Sequence, residues 1–274
     1  MKTKTNKAFT LVELLTVMGI IIILISLIVP AVNQISRIAQ NVRQTSQITT
    51  ISTGLETFYN DFNQYPASSG SYAGAGLLNL ADALVGRDML GYAPDNNYST
   101  QDNNRYGPYV EPDRINATAF YTDDDSVLST GFPDPSYYIA DVYRRDSLKY
   151  GMPILYYRAN TNRKTQDLLA ADEATQVANS IYNYSDSNFP FDATDQAASA
   201  YWPYFGEKTM PWEPDADGNT AHQIFSSFIK NAAVSLDNTR VVPYHPQSFL
   251  LISAGKDGEY GTQDDVCNFE KPIN

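Results

Sequence analysis

Two sets of carboxylates sit where a carboxylate is costly, and these are the residues able to do chemistry. Glu13 is the first. It is the one charged residue in the run that begins Ala8-Phe9-Thr10-Leu11-Val12-Glu13-Leu14-Leu15 and stays apolar through to Pro30. An acidic side chain at the centre of a membrane helix costs roughly 2.5–3.5 kcal/mol, and such residues as a rule have a nameable partner. Glu13 lies nearer the edge of the run, so its cost is smaller, but it still needs a counter-charge. If the chain is cut between Ala8 and Phe9, the new α-amine stands four residues before Glu13 at a similar depth. That amine, or the one on a neighbouring copy, neutralises it.

Asp257, Asp264 and Asp265 form the second set. They lie in Ser253-Ala254-Gly255-Lys256-Asp257-Gly258-Glu259-Tyr260-Gly261-Thr262-Gln263-Asp264-Asp265, where Gly258 and Gly261 permit a tight reversal. Three carboxylates in one short loop repel unless a cation sits among them. Calcium takes six to eight hard oxygens, backbone carbonyls included, in flexible geometry, whereas magnesium demands a tighter octahedron. The alternative is a solvated acidic turn. A further stretch, Asp215-Ala216-Asp217-Gly218-Asn219, begins like an EF-hand loop, but Thr220 stands where the glycine is required and Ser226 where the bidentate glutamate is required. The run Asp123-Asp124-Asp125 reads as a solvated loop.

Little else supports catalysis. His222 and His245 are far apart and lack a metal-ligand spacing, and the sequence contains no Gly-x-Ser-x-Gly, phosphate-cradling loop or His-Glu-x-x-His. Carboxylate pairs of the glycosidase kind are plentiful, with none singled out. The single cysteine, Cys267, excludes an intramolecular disulfide and any multi-cysteine zinc site. The formal net charge is −12; taking Lys2, Lys4 and Lys7 of the first eight residues from the 19 basic residues leaves 16 against 31 acidic ones, near −15. That is the wrong sign for a phosphate-binding surface, so nucleic acid is not an expected partner.

The elements that position these groups follow from periodicity. Residues 9–32 span about 36 Å as a helix, enough to cross a ~30 Å hydrocarbon core, and the preceding lysines place the N-terminus in the cytoplasm. Beyond Pro30, Val32, Ile35, Ala39, Val42, Ile48, Ile51, Leu55, Phe58 and Phe62 recur mostly at spacings of three and four, an amphipathic stripe weakened near Thr45 and Ser46. Gln34, Arg37, Gln40, Arg43, Gln44 and Gln47 fill the other faces. Pro30 removes a backbone donor, and Gly54 lowers helix propensity by about 1 kcal/mol. Tyr65-Pro66 and the Gly/Ser-rich residues after it stop the helix. A short helix is predicted over 77–85, turn-then-strand units over 106–110 and 150–158, a helical pattern over 165–182, and a last strand over 246–253. An ordinary secretory signal cut after Ala31 competes with this reading, but Glu13 and the length of the apolar stretch speak against it.

The start of the chain resembles the prepilin leader of type IV pilins and type II secretion pseudopilins. That family has a basic leader, a small residue before the cut, Phe as the first mature residue and Glu as the fifth; here Ala8, Phe9 and Glu13 stand in those places, with Ala8 where glycine is usual. Further marks resemble the major pseudopilin: Tyr65-Pro66, Gly76-Leu77, Gly107-Pro108-Tyr109 and Tyr150-Gly151-Met152-Pro153-Ile154-Leu155-Tyr156, with Tyr150 in place of tryptophan. The resemblance implies an α+β, type IV pilin-like fold. Residues 1–8 are the leader, 9–32 a transmembrane and assembly helix, and 33–63 its amphipathic continuation on a small antiparallel sheet. Residues 64–274 form a periplasmic domain with long insertions at about 111–149 and 159–245, whose role is surface decoration or contact with a partner. It also implies cleavage by a prepilin peptidase between Ala8 and Phe9, methylation of Phe9, and pairing of Glu13 during assembly. Calcium in loop 253–265 is implied to be held by Asp257, Asp264 and Asp265, with the carbonyls of Ala254 and Glu259 as weaker candidates. The implied role is a non-catalytic subunit that leaves the bacterial inner membrane, through an assembly platform, for a pseudopilus built of like subunits. A type IV pilus subunit for adhesion or DNA uptake and a membrane-tethered binding module are the alternatives. Cargo and abundance in the filament are not legible.

Overall fold

The computed structural model describes residues 11–69, 76–95, 104–120, 136–143, 151–188, 212–235 and 240–271. The chain divides into two compact units, residues 1–43 and 44–274.

In the first unit the described residues belong to helix α1, which runs Leu11–Phe62 and stays helical through Pro30 and Gly54. Within this first unit its described apolar side chains are exposed: Leu11 is 79%, Leu15 66% and Ile22 64% exposed. Thr16 spends its hydroxyl on the carbonyls of Val12 and Glu13, both at 3.0 Å, so even this polar residue adds no outward hydrogen-bonding group. Among the described residues no helix is long and apolar enough to cross a membrane, and the membrane-spanning character expected for residues 9–32 is not shown.

The second unit is mixed: short helices around small antiparallel sheets. Its elements are α2 (Gly76–Val85), β1 (Ala117–Phe120), β2 (Ser136–Ile139), β3 (Leu155–Arg158), β4 (Gln166–Asp167), α3 (Glu173–Asn179), α4 (Ala221–Phe228), β5 (Arg240–Val241), β6 (Phe249–Ser253) and β7 (Val266–Cys267), with 3₁₀ turns at Pro112–Arg114 and Tyr184–Ser187. The strands form β1-β2, β3-β6-β7 and β4-β5, all antiparallel.

The pair β3-β6 is the spine, buried on both faces. Because strand side chains alternate, Tyr156, Phe249 and Leu251 face one core with Ile48, Ile51 and Leu55 of α1 and Leu80 and Leu84 of α2. Leu155, Tyr157, Leu250 and Ile252 face the other, with Tyr182, Trp212, Phe225 and Ile229. Seven of the seventeen buried residues of this second core, Tyr182, Trp212, Phe225 and Ile229 among them, come from residues 159–245. The described parts of that stretch thus cover a sheet face that would otherwise be wet. Trp212 donates its indole N–H to the Tyr157 hydroxyl at 2.8 Å, so its burial leaves no polar atom unpaired.

The stripe on α1 is half right. Ile48, Ile51, Leu55 and Phe58 are buried, but Ile35 and Val42 are 65% and 62% exposed, while Gln44 and Gln47 are buried. Both glutamines serve loop backbone: Gln44 Oε1 accepts from Val142 N at 2.9 Å, and Gln47 Nε2 donates to the carbonyls of Ile115 (2.6 Å) and Ala140 (2.8 Å). Buried backbone groups need partners, and two amides on a helix supply them where apolar side chains could not.

The short helix and last strand predicted from periodicity are present. Residues 106–110 do not make a strand; Tyr106 forms a single antiparallel bridge with Tyr92, and the chain then packs against Gly54 of α1. The helical pattern over 165–182 shrinks to α3, preceded by β4, because Asp172 caps the Thr175 N–H and starts the helix there.

Candidate functional site

Ala8 and Phe9 lie outside the described residues. Glu13 stands in the first turn of α1, exposed among exposed leucines and valines.

The acidic loop is built by the return of the chain from β6 to β7. Ser253 pairs with Val266 across the two strands, so the residues between must reverse within a few ångströms. Gly255 has φ of 60°, and a Cβ there would stand 2.7 Å from Asp264 Oδ2 and collide with the Asp264 backbone. No other residue fits so close an approach. Gly258 and Gly261 also have positive φ, 79° and 86°.

The reversal brings Asp257 and Asp264 together. Asp264 Oδ2 accepts from the N–H groups of Lys256 (2.6 Å) and Asp257 (3.0 Å), and Oδ1 accepts from the Thr262 hydroxyl at 2.7 Å. Asp257 Oδ1 accepts from Glu259 N at 2.8 Å. Burial and the neighbouring Asp264 push Asp257 up; for Asp264 burial is outweighed by the Thr262 hydroxyl and the backbone donors, which hold it below the usual carboxylate range.

Asp265 is the more deeply buried of the set, 3% exposed. Gly261 N donates to Oδ2 at 2.8 Å, and the Thr262 hydroxyl lies 3.2 Å from Oδ1. Burial nonetheless pushes Asp265 up to about 7, with the Gly261 N–H and Lys271 opposing. Lys271 folds its ammonium over the carbonyls of Gln263 and Asp265. Of the two carbonyls suggested as ligands, that of Ala254 accepts from Gly258 N at 3.2 Å and that of Glu259 lies 3.3 Å from the Thr262 hydroxyl.

All five residues named from sequence therefore lie on one loop, but the three carboxylates are not equivalent. Asp257 and Asp264 meet directly, and Asp265 joins them through Thr262. Among the described residues no group of three or more His, Cys, Asp or Glu side chains is gathered as a metal site. The donor set fits calcium in kind: carboxylates, a hydroxyl and carbonyls, all hard oxygens. Thr262 and Lys271 were not anticipated. The signal for Thr262 was its place beside the acidic pair; Lys271, six residues past Asp265, carried none.

The histidines form no catalytic pair. His222 is buried, its Nε2 lying 3.0 Å from the Asp167 carbonyl and 3.2 Å from Ser180 Oγ. The carbonyl can only accept, so Nε2 carries the proton, and the Ser180 hydroxyl donates to the Gln176 carbonyl at 2.7 Å. Ser180 is thus not activated by His222. His245 Nε2 lies 3.0 Å from the Asn268 carbonyl. The EF-hand-like stretch is an exposed turn closed on Asp215, whose carboxylate accepts from Asp217 N, Asn219 N and Asn219 Nδ2.

No family model matches the chain, and neither a curated protein nor a solved structure matches it.

Proposed function

We propose that this chain is a non-catalytic filament subunit of the type II secretion pseudopilus class. A prepilin peptidase cuts between Ala8 and Phe9 and methylates the new amine; the apolar helix waits in the inner membrane and then leaves lipid for a bundle of like helices.

The observation that carries the reading is the helix surface around Glu13. Apolar side chains are exposed around the whole circumference from Leu11 to Ile28, with Glu13 the one charge among them. Each such side chain gains roughly 1.5–3 kcal/mol when removed from water, which lipid or sister helices supply equally well. A plain anchor accounts for the leucines and isoleucines. It does not account for a carboxylate four residues after a cleavable bond, whereas an N-terminal amine on an adjacent subunit does. The acidic loop at the far end of the chain supports the secretion variety of this family: Asp257, Asp264 and Asp265 would hold calcium there through hard oxygens.

Mass spectrometry of the protein from cell envelopes tests the processing step: the expected N-terminus is methylated Phe9, and an N-terminus at Val32 overturns the proposal. Glu13→Ala tests assembly. Cleavage should persist while filaments fall by tenfold or more in electron micrographs; unchanged filaments would mean that Glu13 has no role in subunit pairing.

A further inference from the structure

A cavity of about 790 Å³ opens where the end of α1, the end of β3 and the turn Tyr184–Ser187 converge. Its size falls within the roughly 300–1,000 Å³ of small-molecule sites, but such sites are predominantly apolar and this one is walled by amides, hydroxyls and one ion of each sign.

The floor holds Asp186, 6% exposed, which accepts a hydrogen bond from Ser68, itself 3% exposed. Beside it is Arg158, which donates one N–H to the Tyr65 carbonyl at 3.0 Å. Among the described residues no carboxylate lies within ion-pair distance of Arg158, so most of its donors are unspent. At the rim Asn63 and Gln247 are exposed and make no side-chain hydrogen bond within the described protein. One wall is the Tyr59 ring, 38% exposed and packed on Tyr65 with centroids 4.8 Å apart.

The occupant must accept from Arg158, donate to Asp186, and both donate to and accept from the rim amides. Phosphate or sulfate satisfies Arg158 but sets a second negative charge against Asp186. An apolar molecule strips water from Arg158 and Asp186 and leaves their remaining hydrogen-bonding capacity, beyond Tyr65 and Ser68, unmet, at a cost of a few kcal/mol. A sugar meets every demand at once, because each hydroxyl carries one donor and two acceptor lone pairs, neighbouring hydroxyls match planar amide and guanidinium edges, and the C–H face of the ring lies on tyrosine. We infer that this cavity is a binding site for a neutral saccharide, oriented by Arg158 and Asp186 at the floor and by Asn63 and Gln247 at the rim. The inference is independent of the filament proposal, since the cavity belongs wholly to the second unit.

The test uses the full chain in a polyoxyethylene detergent, which has no sugar head group to compete. An array of neutral gluco-, manno-, galacto-, xylo- and N-acetylglucosamine oligosaccharides is screened, and hits are titrated by calorimetry. At least one series should bind saturably. Asn63→Gly, which suits the positive φ of 53° at that position, and Gln247→Ala remove no intramolecular side-chain hydrogen bond among the described residues; each should weaken binding about fivefold, the value of one typical hydrogen bond, with little change in melting. Arg158→Lys, which keeps the charge but loses the planar fork, should weaken it about tenfold or more. Binding of no neutral saccharide, binding indifferent to the rim variants, or binding only of inorganic phosphate, sulfated sugars or peptides overturns the assignment.

Discussion

Asp265 makes the calcium proposal quantitative through pH. In the folded chain burial pushes its carboxyl up to about 7; in the unfolded chain it returns to roughly 3.9. The native state therefore favours the protonated form. The associated stability is fully present below about pH 4 and is lost as the pH rises through about 7. Three decades of displacement at about 1.4 kcal/mol each set an upper bound near 4 kcal/mol, and entry of water around a newly charged Asp265 reduces this to about 2–4 kcal/mol. Between pH 5 and pH 8 only about two of those decades are crossed, roughly 1.5–2.5 kcal/mol, and at roughly 2–4 °C per kcal/mol for a chain of this size a chelated sample should lose about 3–10 °C. Calcium requires the carboxylates ionised, so it should flatten the profile and give its largest stabilisation at pH 8. Circular-dichroism melting of the full chain in detergent, with chelator or with millimolar calcium from pH 5 to 8, reads both effects. Asp265→Asn keeps an acceptor for Gly261 N and removes the charge, so it should abolish most of the chelated slope. A chelated melting temperature that stays level from pH 5 to 8 would refute the reasoning about Asp265, and calcium-independence at pH 8 would refute the site.

Two substitutions on α1 test the packing. Gly54→Ala should gain about 1 kcal/mol of helix propensity yet destabilise overall by about 1–2 kcal/mol, because the new methyl would overlap the Val110 side chain and stand 3.0 Å from Leu84 Cδ2; a raised denaturation midpoint would contradict this. Gln47→Leu keeps approximate volume and removes the side-chain donor of the Ile115 carbonyl and one of the two at the Ala140 carbonyl, which keeps Asn116 Nδ2 at 3.2 Å, at a cost of about 1–3 kcal/mol by chemical denaturation. A neutral result would show that water replaces the amide.

Much of the second unit was legible because its signals are local. The short apolar runs of β3 and β6 bounded by glycine and proline, the apolar spacing of α2, and the glycines of the loop between β6 and β7 each report a constraint felt within a few residues. The same locality explains the misreadings. Gly54 looks like a weak point of a helix until Val110 and Leu84 are seen against it. Gly76 reads as a family mark, and the reason for it is that a Cβ there would stand 2.7 Å from the Tyr156 carbonyl and 2.8 Å from that of Asp186. Gln44 and Gln47 belong to a polar face by periodicity, yet they are buried because distant loops needed a hydrogen-bond partner.

By itself the sequence determined the apolar run around Glu13 and the gathering of Asp257, Asp264 and Asp265 on one turn, since these depend only on residue type and spacing along the chain. The tertiary structure decided which carboxylates touch, that Thr262 bridges them, that the insertion after β3 closes a second core, and that Arg158 and Asp186 share a cavity although they lie far apart in sequence. Those outcomes depend on which buried group finds which partner. Such pairing is enforced by the cost of leaving polar atoms unmet in an apolar interior, and no spacing along the chain records it.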